Sequence, residues 1–145
     1  MSIPHRPARL HAVNAFVVVP DLSRLTEFLK ATFGGGDLDR VIKMPNGTIV
    51  HAEMRIDDTV IFLAEPHGGP PAPANLYLYV TDVDATVAAA TKAGGTTVMP
   101  PTDMFWGERV AMLSDPTGGT WFVATQREEV SAAEAERRAA ALAAG

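Results

Sequence analysis

The chain has 145 residues, is 47% hydrophobic with a mean hydropathy of +0.08, and carries a net charge of −5. That length and composition suit one globular domain with an ordinary core and exclude a disordered chain, while the acidic balance argues against nucleic acid, whose phosphates need a basic face. There is no cysteine, which excludes disulfide, thiolate and zinc–cysteine chemistry, and neither an apolar run of bilayer length nor a signal-peptide core is present, so no membrane contact and a cytoplasmic setting are expected.

Residues 1–11 read as a loose arm. A strand is expected over Val13–Val19, followed by Asp21 as the cap of a helix whose apolar face is Leu22, Leu25, Phe28, Leu29 and Phe33. Gly34-Gly35-Gly36 ends that helix, because glycine adopts the left-handed conformation cheaply. Strands are expected over Leu38–Met44, Thr48–Ile56 and Thr59–Ala64, with turns at Pro45-Asn46-Gly47 and Asp57-Asp58. Residues 66–74 are so rich in Pro and Gly that they read as a linker holding neither ladder nor helix. A strand over Leu76–Val80 then leads to a helix capped by Asp82, with Val83, Val87 and Ala90 as its buried stripe, ending at Gly94-Gly95. Thr96–Met99 reads as a short strand broken by Pro100-Pro101. Strands over Arg109–Ser114 and Thr120–Thr125 flank the turn Asp115-Pro116-Thr117-Gly118-Gly119. Ser131-Ala132-Ala133-Glu134 is a capping box opening an Ala-rich helix over 131–144, with Glu134 spaced to pair with Arg138.

The chain states one unit twice. Asn14 and Asn75, Val19 and Val80, and Asp21 and Asp82 each lie 61 residues apart, and Phe62 and Phe122 lie 60 apart. A period that long, occurring twice, marks a duplicated module rather than a solenoid. The expected fold is α+β: a single domain over 1–145, with one βαβββ module over 12–65, the linker 66–74, a second module over 75–126 and the C-terminal helix.

This doubled βαβββ order, with strand–Val-x-Asp–helix twice and Asp115-Pro116-x-Gly118 before the last strand, resembles the vicinal oxygen chelate superfamily of glyoxalase I, bleomycin-resistance proteins and extradiol dioxygenases. Phe105-Trp106-Gly107-Glu108-Arg109 further resembles a bacterial glyoxalase-like subgroup. The resemblance implies a curved mixed sheet forming a cup, with helices on its outer face, and homodimers. Metal enzymes of the family place four ligands, usually His and Glu, at positions that fall here on Asn14, Phe62, Asn75 and Phe122. Phe cannot ligate and Asn is a poor ligand for Zn²⁺, Ni²⁺ or Fe²⁺, so neither metal nor other cofactor is expected.

Strand alternation extends the face. With Asn14 inward, Phe16 follows. With Asn75 inward, Tyr77 and Tyr79 follow. Between them, His51, Glu53 and Arg55 face the cup while Val50, Ala52, Met54 and Ile56 face the helix. On the seventh strand Arg109 is assigned to the cup, and Val110 and Met112 to the core. The expected ligand-binding set is Asn14, Phe16, His51, Glu53, Phe62, Asn75, Tyr77, Tyr79, Trp106, Arg109 and Phe122. Its bland counterpart is a solvated strand face with Phe62 and Phe122 filling the concavity. An aromatic concavity with a few polar anchors suits sequestration of a small, partly aromatic organic molecule. The alternative is a metal-independent isomerase, cyclase or lyase in which His51 and Glu53 provide acid–base chemistry. They sit two apart on one strand and so share a face without pointing at each other.

Overall fold

The computed structural model describes residues 2–145. The first module runs β1 (Phe16–Val18), α1 (Leu22–Phe33), β2 (Asp39–Lys43), β3 (Ile49–Ile56) and β4 (Thr59–Ala64). The second repeats it as β5 (Asn75–Tyr79), α2 (Val83–Lys92), β6 (Thr96–Asp103), β7 (Glu108–Ser114) and β8 (Thr120–Gln126), and α3 (Ala132–Ala144) closes the chain. The fold is α+β. Each module holds a four-stranded mixed sheet, in the order β1-β4-β3-β2 and β5-β8-β7-β6. The chain divides into two compact units between Ala74 and Asn75, at the end of the linker. Among the described residues no helix is long and apolar enough to cross a membrane.

The helix boundaries follow their caps. Asp21 accepts from the Arg24 N–H and Asp82 from the Ala85 N–H, filling one of the free donors at each helix start. Gly34, at φ 66°, ends α1 in the left-handed region. Beyond it the Gly36 N–H donates to the Arg55 carbonyl and ties the helix exit to β3.

Register then sorts the side chains. Phe16 lies opposite Phe62, and Phe62 opposite Glu53, so the three share one face of the first sheet. Val17, Leu63 and Ala52 pair likewise on the other face and are fully buried. In the second sheet Tyr77, Phe122 and Met112 form one row, and Leu76, Trp121 and Leu113 the row behind it. Each sheet therefore has a core face and an aromatic face.

Two expectations about proline are corrected. β6 does not stop at Met99 but continues through Pro100-Pro101 to Asp103. It is an edge strand with register shifts between Thr97 and Met99 and between Met99 and Thr102, and an edge strand tolerates residues that cannot donate on its open side. The linker, for its part, does hold a bridge. Ala72, between two prolines, keeps its own N–H and exchanges two hydrogen bonds with Val18, at 2.8 and 2.9 Å. β1 is shorter than expected, beginning at Phe16 and not at Val13.

The turn before β8 is knitted by Asp115, which is almost fully buried. Its carboxylate accepts from the Thr117 N–H and hydroxyl, the Gly119 N–H and the indole of Trp121 at 2.7 Å. Trp121 is the largest buried side chain, so this one carboxylate links turn to core. Asp115→Ala would strand two buried donors, and a loss of about 2–3 kcal/mol in urea-unfolding stability is expected.

Candidate functional site

The aromatic face of the first sheet is built around Glu53. Its side chain is 5% exposed, and it is surrounded by positive charge. Arg9 donates to both carboxylate oxygens, at 3.0 and 3.1 Å, and Arg40 lies 3.5 Å away. His51 Nε2 is 2.8 Å from Glu53 Oε2. Burial pushes the Glu53 carboxyl up, but the hydrogen bonds from His51 and Arg9, together with the Arg9 charge, outweigh it and hold the group below its usual value. The His51 ring also packs on Phe62 at 4.9 Å, and Phe62 meets Phe16 edge-on at 6.4 Å. Residues 2–11 are thus anchored through Arg9 to the sheet. Between this arm and Phe62 lies a cleft of about 370 Å³, which Arg6, His11 and Asn14 help to line. The Asn14 amide donates to the His11 carbonyl.

On the second sheet the aromatic face is built around Glu108. The hydroxyls of Tyr77 and Tyr79 each donate to it at 2.5 Å, and the indole N–H of Trp106 at 3.0 Å. Burial raises the Glu108 carboxyl, yet the three hydrogen bonds bring it below its ordinary value. Burial and the Glu108 carboxylate push the Tyr77 hydroxyl up to about 12. The hydrogen bond to Glu108, with burial, raises Tyr79. Phe122 stacks on Tyr77 with ring centres 5.8 Å apart and planes 16° from parallel. The loop carrying Trp106 turns at Gly107, whose φ is 95° and whose carbonyl accepts from the Arg127 and Glu128 N–H groups. A Cβ there would fall 2.5 Å from the Glu128 carbonyl oxygen, so only glycine fits. Arg138 of α3 donates to the Phe105 carbonyl and to Glu128, and it pairs with Glu134 as the spacing predicts.

Of the expected ligand-binding side chains, Phe16, His51, Glu53 and Phe62 come together in the first sheet. Tyr77, Tyr79, Trp106 and Phe122 come together in the second. Asn75 opens β5 opposite Thr120 and is exposed. Arg55, on the same face as Glu53, is exposed. Two expectations are corrected. Arg109 lies on the core face, where it forms ion pairs with Asp84 of α2 and with Asp103, which raise its pKa. Met112 and Val110 lie on the Phe122 side in its place, Val110 being buried in the core as expected. The cause is the five-residue turn 115–119, which sets Ser114 opposite Thr120 and hence Met112 opposite Phe122. His51 and Glu53 do point at each other, because both side chains lean along β3 to within hydrogen-bond reach. Sequence reasoning missed Arg9 and Glu108. Counting back from the 115–119 turn would have found Glu108, whereas nothing local marks Arg9, 44 residues from its partner.

The donor set does not fit a metal of the kind that the resemblance implies. Asn14 is engaged with backbone, and Phe62 and Phe122 are packed in aromatic pairs. Among the described residues no three His, Cys, Asp or Glu side chains converge.

The model of the Glyoxalase/Bleomycin resistance protein/Dioxygenase superfamily matches residues 9–123. The uncharacterized protein Mb0911c of Mycobacterium bovis is 30% identical over 132 residues, covering 83% of this chain and 86% of that protein. The putative glyoxylase CFP32 of the same organism is 31% identical over 107 residues, or 70% of this chain and 41% of CFP32. Among solved structures, TioX from Micromonospora sp. ML1 superposes with a TM-score of 0.61 at 23% identity, over 83% of this chain and all of TioX.

The Glu53 cluster carries a pH signature. Because its folded pKa lies below the unfolded value near 4.5, its stabilisation is present above that value and lost as pH falls through the folded one. Glu53→Gln is expected to lower the melting temperature at pH 7, where Arg9 and Arg40 lose their counter-charge. The difference should shrink as pH falls through the folded pKa of Glu53, where the wild-type carboxyl is itself protonated. A melting series from pH 3 to 7 checks this.

Proposed function

The chain belongs to the Glyoxalase/Bleomycin resistance protein/Dioxygenase superfamily, and from that membership we propose that it binds a small, partly aromatic organic molecule, such as a natural product or antibiotic, without a metal. The observation that carries this reading is the exposure of aromatic rings on one face of each sheet. Phe16 is 55% exposed, Tyr77 46% and Tyr79 58%. Rings this large ordinarily bury themselves, and a row of them left open is a stacking surface. Tyr77 and Phe122 supply the stack in the second unit, with Trp106 beside them, and Phe16 and Phe62 offer a like surface in the first. Asn14 and Asn75 add polar groups near the strand starts. Sequestration suits the groups around Tyr77. Both tyrosines hold their protons and Glu108 holds its charge, so none exchanges a proton near neutral pH.

One observation favours a second reading, a metal-independent isomerase, cyclase or lyase. The 2.8 Å contact between His51 and Glu53 orients an imidazole that is still a quarter exposed. That is the arrangement of a general base with its positioning carboxylate. We further propose a homodimer, as superfamily members often form, which sedimentation would test.

Tryptophan fluorescence, titrated with a panel of aromatic natural products, tests binding. Trp121 is buried in the core, so the responsive signal belongs to Trp106. Saturable quenching is expected. Tyr77→Ala should weaken it about tenfold, since an aromatic contact contributes about 0.5–1.5 kcal/mol beyond buried area. Unchanged affinity in that variant would remove the stacking surface from the argument. Recovery of the compound chemically unaltered fits sequestration. Turnover that His51→Ala abolishes without loss of binding would instead establish the enzyme.

A further inference from the structure

We propose that Glu108 and the aromatic side chains around it seat an organic cation, a protonated or quaternary amine borne on an apolar or aromatic body. The inference rests on the small-molecule reading above and gives that molecule a charge.

The first ground is the kind of partner Glu108 has. Its three hydrogen-bond donors, Tyr77, Tyr79 and Trp106, are all neutral. They keep the carboxylate ionised without cancelling its charge. Among the described residues no Lys, Arg or His forms an ion pair with it. The nearest arginine in sequence, Arg109, points to the opposite face and is held by Asp84 and Asp103. Arg138 is taken by Glu128 and Glu134. Glu53, on the aromatic face of the first sheet, shows the opposite case, with Arg9, Arg40 and His51 around one carboxylate. One carboxylate is already neutralised from within the chain and the other is not.

The second ground is the room left at the carboxylate. A carboxylate offers about four acceptor positions. Tyr77 and Trp106 use two on Oε1, and Tyr79 uses one on Oε2. The fourth can take an N–H⁺ donor or face a quaternary ammonium. The third ground is what flanks it. The rings of Tyr77 and Tyr79 are about half exposed, and a cation within about 6 Å of such a ring is drawn to its negative face. Glu108 also borders a separate cleft of about 340 Å³ with Asp103, Glu128 and Arg127, which Tyr77, Tyr79 and Trp106 do not line. Two independent attractions, from charge and from ring quadrupole, thus favour the same class of ligand.

The test uses the full chain with benzyltrimethylammonium and, as an uncharged aromatic of similar size, benzyl alcohol, both followed by Trp106 fluorescence and by the NMR shift of its indole N–H. The ammonium is expected to bind about tenfold tighter than the alcohol and to weaken as NaCl is raised from 10 to 500 mM, as an attraction between partly exposed charges must. Glu108→Gln, near-isosteric and uncharged, should remove the preference for the ammonium over benzyl alcohol. The salt series on the wild type decides the matter if that variant does not fold. Equal binding of the two probes, a preference that survives Glu108→Gln, or an affinity indifferent to salt would overturn the cation seat while the aromatic surface stands. Failure of both probes to perturb Trp106 would overturn the seat and the surface together.

Discussion

The parallel pairing of the first and last strands of each module is the constraint from which the rest follows. It sets Phe16 beside Phe62 in one unit and Tyr77 beside Phe122 in the other. Since alternate residues of a strand face opposite ways, one such pair determines a whole face. The next strand then adds Glu53 to the first face and Met112 to the second. The rings on these faces belong to the same rows of the ladder whose neighbours, Leu63 and Trp121, make the core. The core and the aromatic face cannot be changed independently.

The two aromatic faces differ in how each handles a carboxylate. Glu53 is buried and compensated. Removing its charge from water is unfavourable, and Arg9, Arg40 and His51 offset that cost while drawing residues 2–11 onto the sheet. Glu108 is half-buried and held only by dipoles, two phenols and an indole. Such an arrangement stabilises the anion and leaves its field intact. The first carboxylate therefore organises structure and positions an imidazole, and the second is held by hydrogen bonds from neutral groups and, among the described residues, forms no ion pair.

Much of this was legible from spacing alone. The repeat between Asn14 and Asn75 and between Phe62 and Phe122 disclosed two βαβββ modules, and the caps Asp21, Asp82 and Ser131 placed the three helices. Alternation also assigned His51, Glu53, Tyr77 and Tyr79 to shared faces, because a strand of known start has only two sides. It failed on β7, where the apolar character of Val110 and Met112 suggested the core face and the charge of Arg109 the cup. The five-residue β7–β8 turn sets Met112 opposite Phe122, so Glu108, Val110 and Met112 share that face and Arg109 takes the other.

Local pattern thus sufficed for element order and for the duplication, since these depend on residue identity and on periods of two and 3.6. Partners distant in sequence lay beyond it. Arg9 reaching Glu53, Trp106 and two tyrosines converging on Glu108, and Ala72 bridging to Val18 all depend on where separate segments come to lie. No single segment encodes such a meeting, because its energy arises only after the sheets have formed and brought the charges and donors within a few ångströms of one another.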